Sequence, residues 1–448
     1  MRVVVVGAGD VGTYLASSFS ALGHEVTVID QSSVALKKVE ENLDVMTLCG
    51  NATFRPDLKR ARINHCDLFV SVTGIDEVNM VSAALVREME VKKTVARVDA
   101  PAFYLNPRGV DRNVLGVSAI LCASRLVSSE LRRRVRALDC DFIGNFALNS
   151  INVGVVEVGD GFRHLDKEPQ HIELGRHTRL VGIIREGAYR HLDEVTRLYE
   201  GDRLLLSGSA EAFGGALRRL SDRFGRKRTV IIGGGDVGFQ LAQGIKAESS
   251  KLMVIDIDRY RCERLSEELE AVTVVHGDGT NISILQDEHV EAANCLIAVT
   301  RADEVNLMSS LLGKELGVGS TFALVHRPGY AQVYDHLGVT GTASSHELVG
   351  QHIHMLTTSD WIIQRKSLPG CRHEVAEVHI PEQWGGGEVR LGDLSWPVEC
   401  ELLAVSHHEE FHSPQPNLRL TADTHLLFAV DSVKINELSR TFKRVLGD

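Results

Sequence analysis

Two glycine runs carry the clearest chemical pattern in the chain. "GAGDVG" spans Gly7 to Gly12 and "GGGDVG" spans Gly233 to Gly238, each after an apolar stretch and before a helix-forming one. In that setting the first glycine (Gly7, Gly233) permits a tight turn, and the second (Gly9, Gly235) lets the backbone approach a diphosphate. The third (Gly12, Gly238) lets strand and helix pack closely. Ala8, Asp10 and Val11 complete the first loop; Gly234, Asp236 and Val237 complete the second. The helix that follows offers free N–H groups and a partial positive charge to phosphate oxygens. Asp30 and Asp256 each fall 23 residues beyond the first glycine, where a carboxylate accepts from ribose hydroxyls and repels a 2′-phosphate. Ribose and diphosphate are common to NAD⁺, NADH, ADP and ATP, so the pattern fits an adenosine diphosphate moiety and does not specify a nicotinamide. Asp10 and Asp236 add negative charge beside the phosphates and are expected to face solvent.

Other chemistry is weaker. "HEEFH", His408 to His412, matches the H-E-x-x-H zinc pattern, which works only where a helix sets residues four apart on one face. Here the run follows the strand-like "ELLAV" and precedes "SPQP", whose prolines break helices, so it reads as a polar hairpin loop. His407, His408 and His412 stay open to an adventitious metal. The helical "HELVGQHIHMLTT" carries His346, His352 and His354 without lining them up as ligands, and surface or interface histidines are expected. A dehydrogenase needs an acid, a base and a polarising group over its nicotinamide. No Tyr and Lys one helical turn apart, and no positioned His–carboxylate pair, stands out in the sequence. No catalytic residue and no metal site are assigned.

The elements that must position these residues repeat. Gly7 and Gly233 are offset by 226 residues, as are Asp30 and Asp256; "CGNAT" and "HGDGT", and "SVTGIDEVNM" and "AVTRADEVNL", align at 227. Landmarks in one order with one residue of drift mark a duplication. In the first copy, Val3–Val6, Glu25–Asp30, Val45–Cys49, Asp67–Thr73 and Thr94–Val98 read as strands. They are rich in Val and Ile without polar alternation, as in a parallel sheet covered on both faces. Amphipathic helical stretches alternate with them, which predicts a doubly wound α/β unit. Beyond about residue 140 the texture turns to short strands closed by a helix, "VGVVEVGDG", "RLVGIIREG", "DRLLLSGS" and "AEAFGGALRRLSD". "HEVAEVHIP" to "KINELSRTFKRVL" repeats that pattern. In "DEVNMVSAALV", Asp76, Glu77 and Asn79 are expected to cap the helix first and to meet ligand or another subunit second.

The bulk numbers exclude several classes. With 448 residues, 44% apolar and 24% charged, the chain suits several soluble α/β domains. Its net charge of −11 opposes nucleic-acid binding, which needs clustered excess Lys and Arg. No apolar run approaches the ~20 residues of a membrane span, and Met1 leads straight into a strand rather than a signal peptide. The eight scattered cysteines read as reduced thiols of a cytoplasmic protein.

The run "GAGDVG … VID … GNAT … SVTGIDEVNM … VARVDAP", with its second copy "GGGDVG … VID … GDGT … AVTRADEVNLM", resembles the TrkA family of Trk-type potassium uptake regulators, built on RCK (or KTN) domains. The resemblance covers the whole chain. It implies two tandem Rossmann-like doubly wound parallel sheets, each followed by a small α+β subdomain, over residues 1–138, 139–225, 226–360 and 361–448. It further implies a non-catalytic regulatory subunit that binds NAD(H), and ADP or ATP, and assembles as a homo-oligomeric ring. Such a subunit is peripheral on the inner membrane face, docked on a separate potassium-translocating subunit of the TrkH/TrkG kind. Carried over residue by residue, it adds Asn51, Thr53, Thr73, Gly74 and Arg97 to the first cleft. It adds Asp278, Thr280, Thr300, Arg301 and Arg327 to the second, the last at an offset of 230 from Arg97. An NAD-dependent oxidoreductase, or an RCK-type regulator of another channel or transporter, are the alternatives.

Overall fold

The computed structural model describes the chain apart from residues 101–102, 104–109, 139, 148–149, 160, 193–194, 196, 222–226, 247–248, 328, 358–360, 381–383, 385–388, 395, 397–399, 408–409 and 447–448. The side chains of 110–114, 136–137, 141–142, 354–357 and 445–446 are also outside it.

The first repeat opens β1 (Arg2–Val6), α1 (Asp10–Ala21), β2 (Glu25–Asp30), α2 (Ser33–Asn42), β3 (Met46–Cys49), α3 (Arg55–Arg60), β4 (Leu68–Ser71), α4 (Asp76–Glu88) and β5 (Lys93–Val98). It continues β6 (Val110–Val114), β7 (Val117–Cys122) and α5 (Ala123–Ala137). A run of β8 (Asp141–Phe146), β9 (Ile151–Glu157), β10 (Thr178–Arg185), β11 (Ala188–His191) and β12 (Arg203–Ser209) ends in α6 (Phe213–Leu220). The second repeat has β13 (Lys227–Ile232), α7 (Asp236–Ile245), β14 (Ser249–Asp256), α8 (Arg259–Glu268), β15 (Val272–His276), α9 (Ile282–Asp287), β16 (Cys295–Ala298) and α10 (Asp303–Glu315). After these come β17 (Ser320–Val325), α11 (Tyr330–His336), β18 (Gly341–Ser344) and α12 (Ser345–Thr357). Last come β19 (Ile362–Ser367), β20 (His373–His379), β21 (Val389–Arg390), β22 (Cys400–His407), β23 (Glu410–His412), β24 (Arg419–Leu420), β25 (His425–Asp431) and α13 (Ile435–Leu446). The contacts divide this chain into two units, each drawing on both repeats: Met1–Arg132 with Arg226–Thr357, and Arg133–Gly225 with Thr358–Asp448.

The first unit holds two sheets of order β3-β2-β1-β4-β5-β7-β6 and β15-β14-β13-β16-β17-β18. Strand order reverses beside β1 and beside β13, where parallel partners lie on both sides, Val3 facing Val26 and Leu68, Val230 facing Met253 and Leu296. Both faces are covered, which explains the unbroken apolar strands. Val3 and Val5 pack with Leu15 and Phe19, while Val4 and Val6 pack with Phe69, Met80 and Val86. Where the sequence reading stopped at five strands, the first sheet goes on to β7, parallel to β5, and to β6, antiparallel at its edge. Helix α12 of the second repeat completes the core of the first. Its Val349 and Ile353 are fully buried against Leu15, Phe19 and Leu126, and a Cβ on Gly350 would come within 2.5 Å of the Tyr14 ring.

The second unit holds two antiparallel sheets of order β11-β10-β12-β9-β8 and β19-β20-β25-β22-β23, with the small pair β21-β24. Val153, Val155 and Leu205 share one core with Leu403 and Leu427. Helix α6 covers the first sheet through Phe213 and Leu217, and α13 covers the second through Leu438 and Phe442. The H-E-x-x-H run lies across a hairpin: Ser406 pairs with Phe411 and His407 with Glu410, while His408 and Glu409 fall outside the described residues.

Candidate functional site

The glycine loops fold as their spacing requires. Gly7 and Gly233 sit at φ of 104° and 106°, in the left-handed region only glycine enters freely. A Cβ on Gly12 would lie 1.8 Å from the Gly7 carbonyl oxygen, and one on Gly238 equally close to that of Gly233. At Gly9 and Gly235 a Cβ would meet nothing within 4 Å. Helices α1 and α7 start directly after these residues, so their first N–H groups have no partner within the helix.

Both acids expected at the ribose have a structural role. Asp30 accepts the Ala8 N–H at 2.7 Å and the Ser32 N–H at 2.7 Å. Asp256 accepts the Gly234 N–H at 2.5 Å and the Asp258 N–H at 2.7 Å. Each carboxylate thus ties its glycine loop to the end of the second strand, a role the motif reading missed. The "GNAT" and "GDGT" turns are alike. The Asn51 side chain accepts from the Thr53 N–H and hydroxyl at 2.9 and 2.8 Å. Asp278 does the same for Thr280 at 2.8 and 2.7 Å, bonds that hold its carboxyl below the usual range.

Past the fourth strand, Asn79 is fully buried and is not a cap. Its Oδ1 accepts from the Thr73 N–H and hydroxyl and from the Ser71 hydroxyl, and its Nδ2 donates to the Thr73 and Arg97 carbonyls at 3.0 and 2.9 Å. Asn306 repeats this with Thr300 and the Leu324 carbonyl. Asp76 does not cap α4 either: it accepts from the N–H groups of Asp99 and Ala100, and Asp303 from those of His326 and Arg327. The asparagine bonds fix the repeat register. Leu324 is therefore the counterpart of Arg97, and the Arg97–Arg327 match made from the resemblance is corrected.

A cavity of 870 Å³ opens over the second glycine loop. Gly233, Gly234, Gly235, Asp236 and Val237 line it, with Asp256, Asp278, Thr280, Thr300 and Arg301. Asp236, half-buried, lines the cavity, whereas Asp10 is exposed. Arg327 is not among the lining residues; its guanidinium pairs with Glu304 at 3.2 Å and the Tyr330 hydroxyl at 3.0 Å.

Gly74 and Arg97, assigned from the resemblance to the first cleft, line this same cavity together with Asp99 and Ser124. The second-repeat cleft is therefore walled in part by the first repeat. Arg97 donates to Asp99 at 2.7 Å, its Nε is buried without a hydrogen-bond partner, and burial pushes the Asp99 carboxyl up. Arg261, unnoticed in the sequence reading, also lines the cavity, 3.7 Å from the Asp256 carboxylate. The expected surface histidines are buried: His346 packs 5.3 Å from the Tyr14 ring and bonds the Ser344 hydroxyl, and His352 bonds the Leu348 carbonyl. Burial pushes His346 down. The His354 side chain lies outside the described residues.

The arrangement suits a nucleoside diphosphate. Gly235 leaves open the space a Cβ would take, helix α7 points its N-terminus into the cavity, and the half-buried Arg97 brings a guanidinium whose Nε–H is orphaned. Guanidinium groups and helix N-termini are the usual partners of phosphate oxygens.

Residues 3–115 and 229–345 each match the TrkA-N domain. Over 460 aligned positions the chain is 30% identical to Trk system potassium uptake protein TrkA homolog 1 of Methanosarcina mazei, covering 99% of this chain and 100% of that one. The chain belongs to the TrkA family. Two solved structures share its fold. The GsuK channel bound to NAD matches 99% of this chain and 79% of its own, with a TM-score of 0.57 at 18% identity. GsuK bound to ADP matches 79% and 68%, with a TM-score of 0.51 at 14% identity.

Proposed function

We propose that the chain is a nucleotide-binding regulatory subunit of a Trk-type potassium uptake system, binding NAD(H), ADP or ATP by the adenosine diphosphate moiety and doing no chemistry on it. On this reading, residues 1–138 and 226–360 are the nucleotide-binding pieces. Residues 139–225 and 361–448 are the small subdomains that follow each. The site is carried by the two glycine loops, Asp30 and Asp256, and the turns at Asn51–Thr53 and Asp278–Thr280. Thr73 and Thr300, Gly74, Arg97 and Arg301 complete it. The partner is an integral-membrane potassium-translocating protein, met by a homo-oligomeric ring on the inner membrane face. No helix among the described residues is long and apolar enough to cross a membrane; on this reading translocation is assigned to the partner.

The observation that carries the proposal is the shared cavity. A ligand there touches Gly235 and Asp256 of one repeat and Arg97 and Gly74 of the other. Its binding energy therefore depends on how the two repeats sit against each other, which is the condition for a ligand to bias a conformational equilibrium. A tenfold difference in affinity between two arrangements supplies ~1.4 kcal/mol per site, and several sites in a ring add. A NAD or ADP complex of the related fold is in keeping with this chemistry. The test is potassium flux through the reconstituted membrane partner, with and without this chain and with NADH, NAD⁺, ADP or ATP. Flux indifferent to both would refute the proposal, and steady NADH consumption by the purified chain with a metabolite would replace it with an oxidoreductase.

A further inference from the structure

A second constellation lies outside the nucleotide clefts, at one end of the β20–β25 pair. His379 and His425 stand directly opposite each other in the antiparallel register, so their side chains share one face of the sheet. Their ring centroids are 4.6 Å apart. Asp423, two residues before His425, takes a left-handed conformation at φ 61°. Its N–H donates to the Ile380 carbonyl, and the Ile380 N–H donates to the Thr424 carbonyl. That reciprocal clamp holds the residue beside the imidazoles. Its Oδ1 lies 3.0 Å from His379 Nε2 and 4.0 Å from His425 Nε2. One ligand atom from each of the three residues falls within 4.8 Å of the other two.

The surroundings of His425 point its lone pair into this cluster. Glu377 is 1% exposed, and its Oε1 accepts the Ala147 N–H at 3.0 Å and faces His425 Nδ1 at 2.6 Å. An ionised carboxylate can only accept, so the network assigns the hydrogen to Nδ1 and leaves Nε2 as the basic nitrogen. His425 is 5% exposed, and Nε2 is buried with no hydrogen-bond partner. Were it protonated, its N–H would be 4.0 Å from Asp423, beyond hydrogen-bond range. Buried, unpaired polar atoms are rare and call for an explanation. A histidine whose far nitrogen donates to a buried carboxylate is how proteins orient a metal ligand.

We propose that His379, Asp423 and His425 form a binding site for a divalent transition-metal ion, zinc being the best fit, with Glu377 as the positioning residue behind His425. Two imidazoles and one carboxylate favour zinc and its transition-metal neighbours over magnesium or calcium, which take oxygen ligands. Ligands about 2.0–2.1 Å from a tetrahedral zinc stand roughly 3.3 Å apart; here two pairs stand at 3.0 Å and 4.0 Å and all three atoms within 4.8 Å. Water would complete the shell. The ion would tie the end of β20 to the start of β25 inside the small subdomain, an input independent of nucleotide.

The test uses the full-length chain, stripped with EDTA and desalted, then titrated with zinc sulfate against a chromophoric chelator and with cobalt(II) for its visible spectrum. One tight equivalent per chain, ligand-field bands from bound cobalt and a higher melting temperature with zinc are expected. His379→Gln, at a partly exposed position, and Asp423→Asn should abolish that equivalent while leaving the circular dichroism unchanged. Glu377→Gln should weaken it about 10- to 100-fold. His412→Gln, in the neighbouring histidine hairpin, should leave it intact. No tight equivalent overturns the proposal. So does an equivalent that survives His379→Gln and Asp423→Asn, or one lost in His412→Gln, either of which marks an adventitious ion only.

Discussion

Replacing Gly9 and Gly235 together by alanine separates the ligand-facing role of the glycine loops from their structural one. Gly9 sits at φ −77°, ψ −170° and Gly235 at φ −67°, ψ −169°, backbone that alanine adopts without strain. The added methyl meets no protein atom within 4 Å at either position. Stability should therefore hold, or rise by about 0.4–1 kcal/mol per site as the unfolded chain loses freedom. At Gly235 the methyl enters the space over the helix N-terminus where a diphosphate must come close to backbone N–H groups. Losing one charge-assisted hydrogen bond costs about 1.5–3 kcal/mol, so NADH or ADP affinity should fall about ten- to a hundredfold. Gly238→Ala is the contrast. Its Cβ would lie 1.8 Å from the Gly233 oxygen and 2.9 Å from that residue's carbonyl carbon. Strand β13 and helix α7 would have to separate, at a cost of about 1–3 kcal/mol or more. Isothermal titration with NADH and ADP, run beside thermal melts of the same preparations, reads both quantities. A double alanine variant that binds like the parent, or one that melts as early as Gly238→Ala, refutes the assignment of these loops.

Three further outcomes are expected. Asn306→Asp keeps the shape of a fully buried side chain but turns its donor toward the Thr300 and Leu324 carbonyls into an acceptor; at ~1–3 kcal/mol per unpaired buried group, a loss of about 2–4 kcal/mol should appear in denaturant titration. Arg97→Ala should weaken nucleotide binding at the second-repeat cleft, measured in a background where Gly9→Val closes the first; unchanged affinity would show that Arg97 contributes nothing to that wall. Glu401, half-buried beside Tyr189, Arg179 and His191, has its carboxyl pushed up chiefly by desolvation. A raised folded-state pKa means the protonated form is the one the fold favours, so its contribution is complete below the ordinary glutamate value of ~4.3 and is lost as pH rises through the folded value above it. Glu401→Gln should flatten that part of the melting temperature's pH dependence, and an unaltered slope would exclude Glu401 as its source.

Much of the fold can be read one repeat at a time because the forces that write it are local. Val3–Val6 and Glu25–Asp30 are apolar on both faces and became central parallel strands, within a residue of the expected bounds. The glycines declare themselves because the Gly12–Gly7 and Gly238–Gly233 approaches leave no room for a side chain. What escaped the sequence reading depends on which surfaces meet. Nothing in "HELVGQHIHMLTT" says that Val349 and Ile353 will finish the core of the other repeat, and this is why its histidines are buried rather than surface groups. The same pairing carries Gly74 and Arg97 into the cavity of the second glycine loop.

Arg327 failed for a different reason. A match by residue type ignored the buried asparagine that measures register, and Asn306 reaches the carbonyl of Leu324, as Asn79 reaches that of Arg97. The duplicated clefts have thus diverged at the fifth strand: one copy supplies a guanidinium there and the other a leucine. A cavity that needs the arginine of one repeat and the glycine turn of the other is complete only while the two stay together, whereas either glycine loop alone would bind whatever its neighbour did. On the proposed function, that dependence would join nucleotide occupancy to the arrangement of the pair, and it would reside in the mismatch between the copies more than in the motif they share.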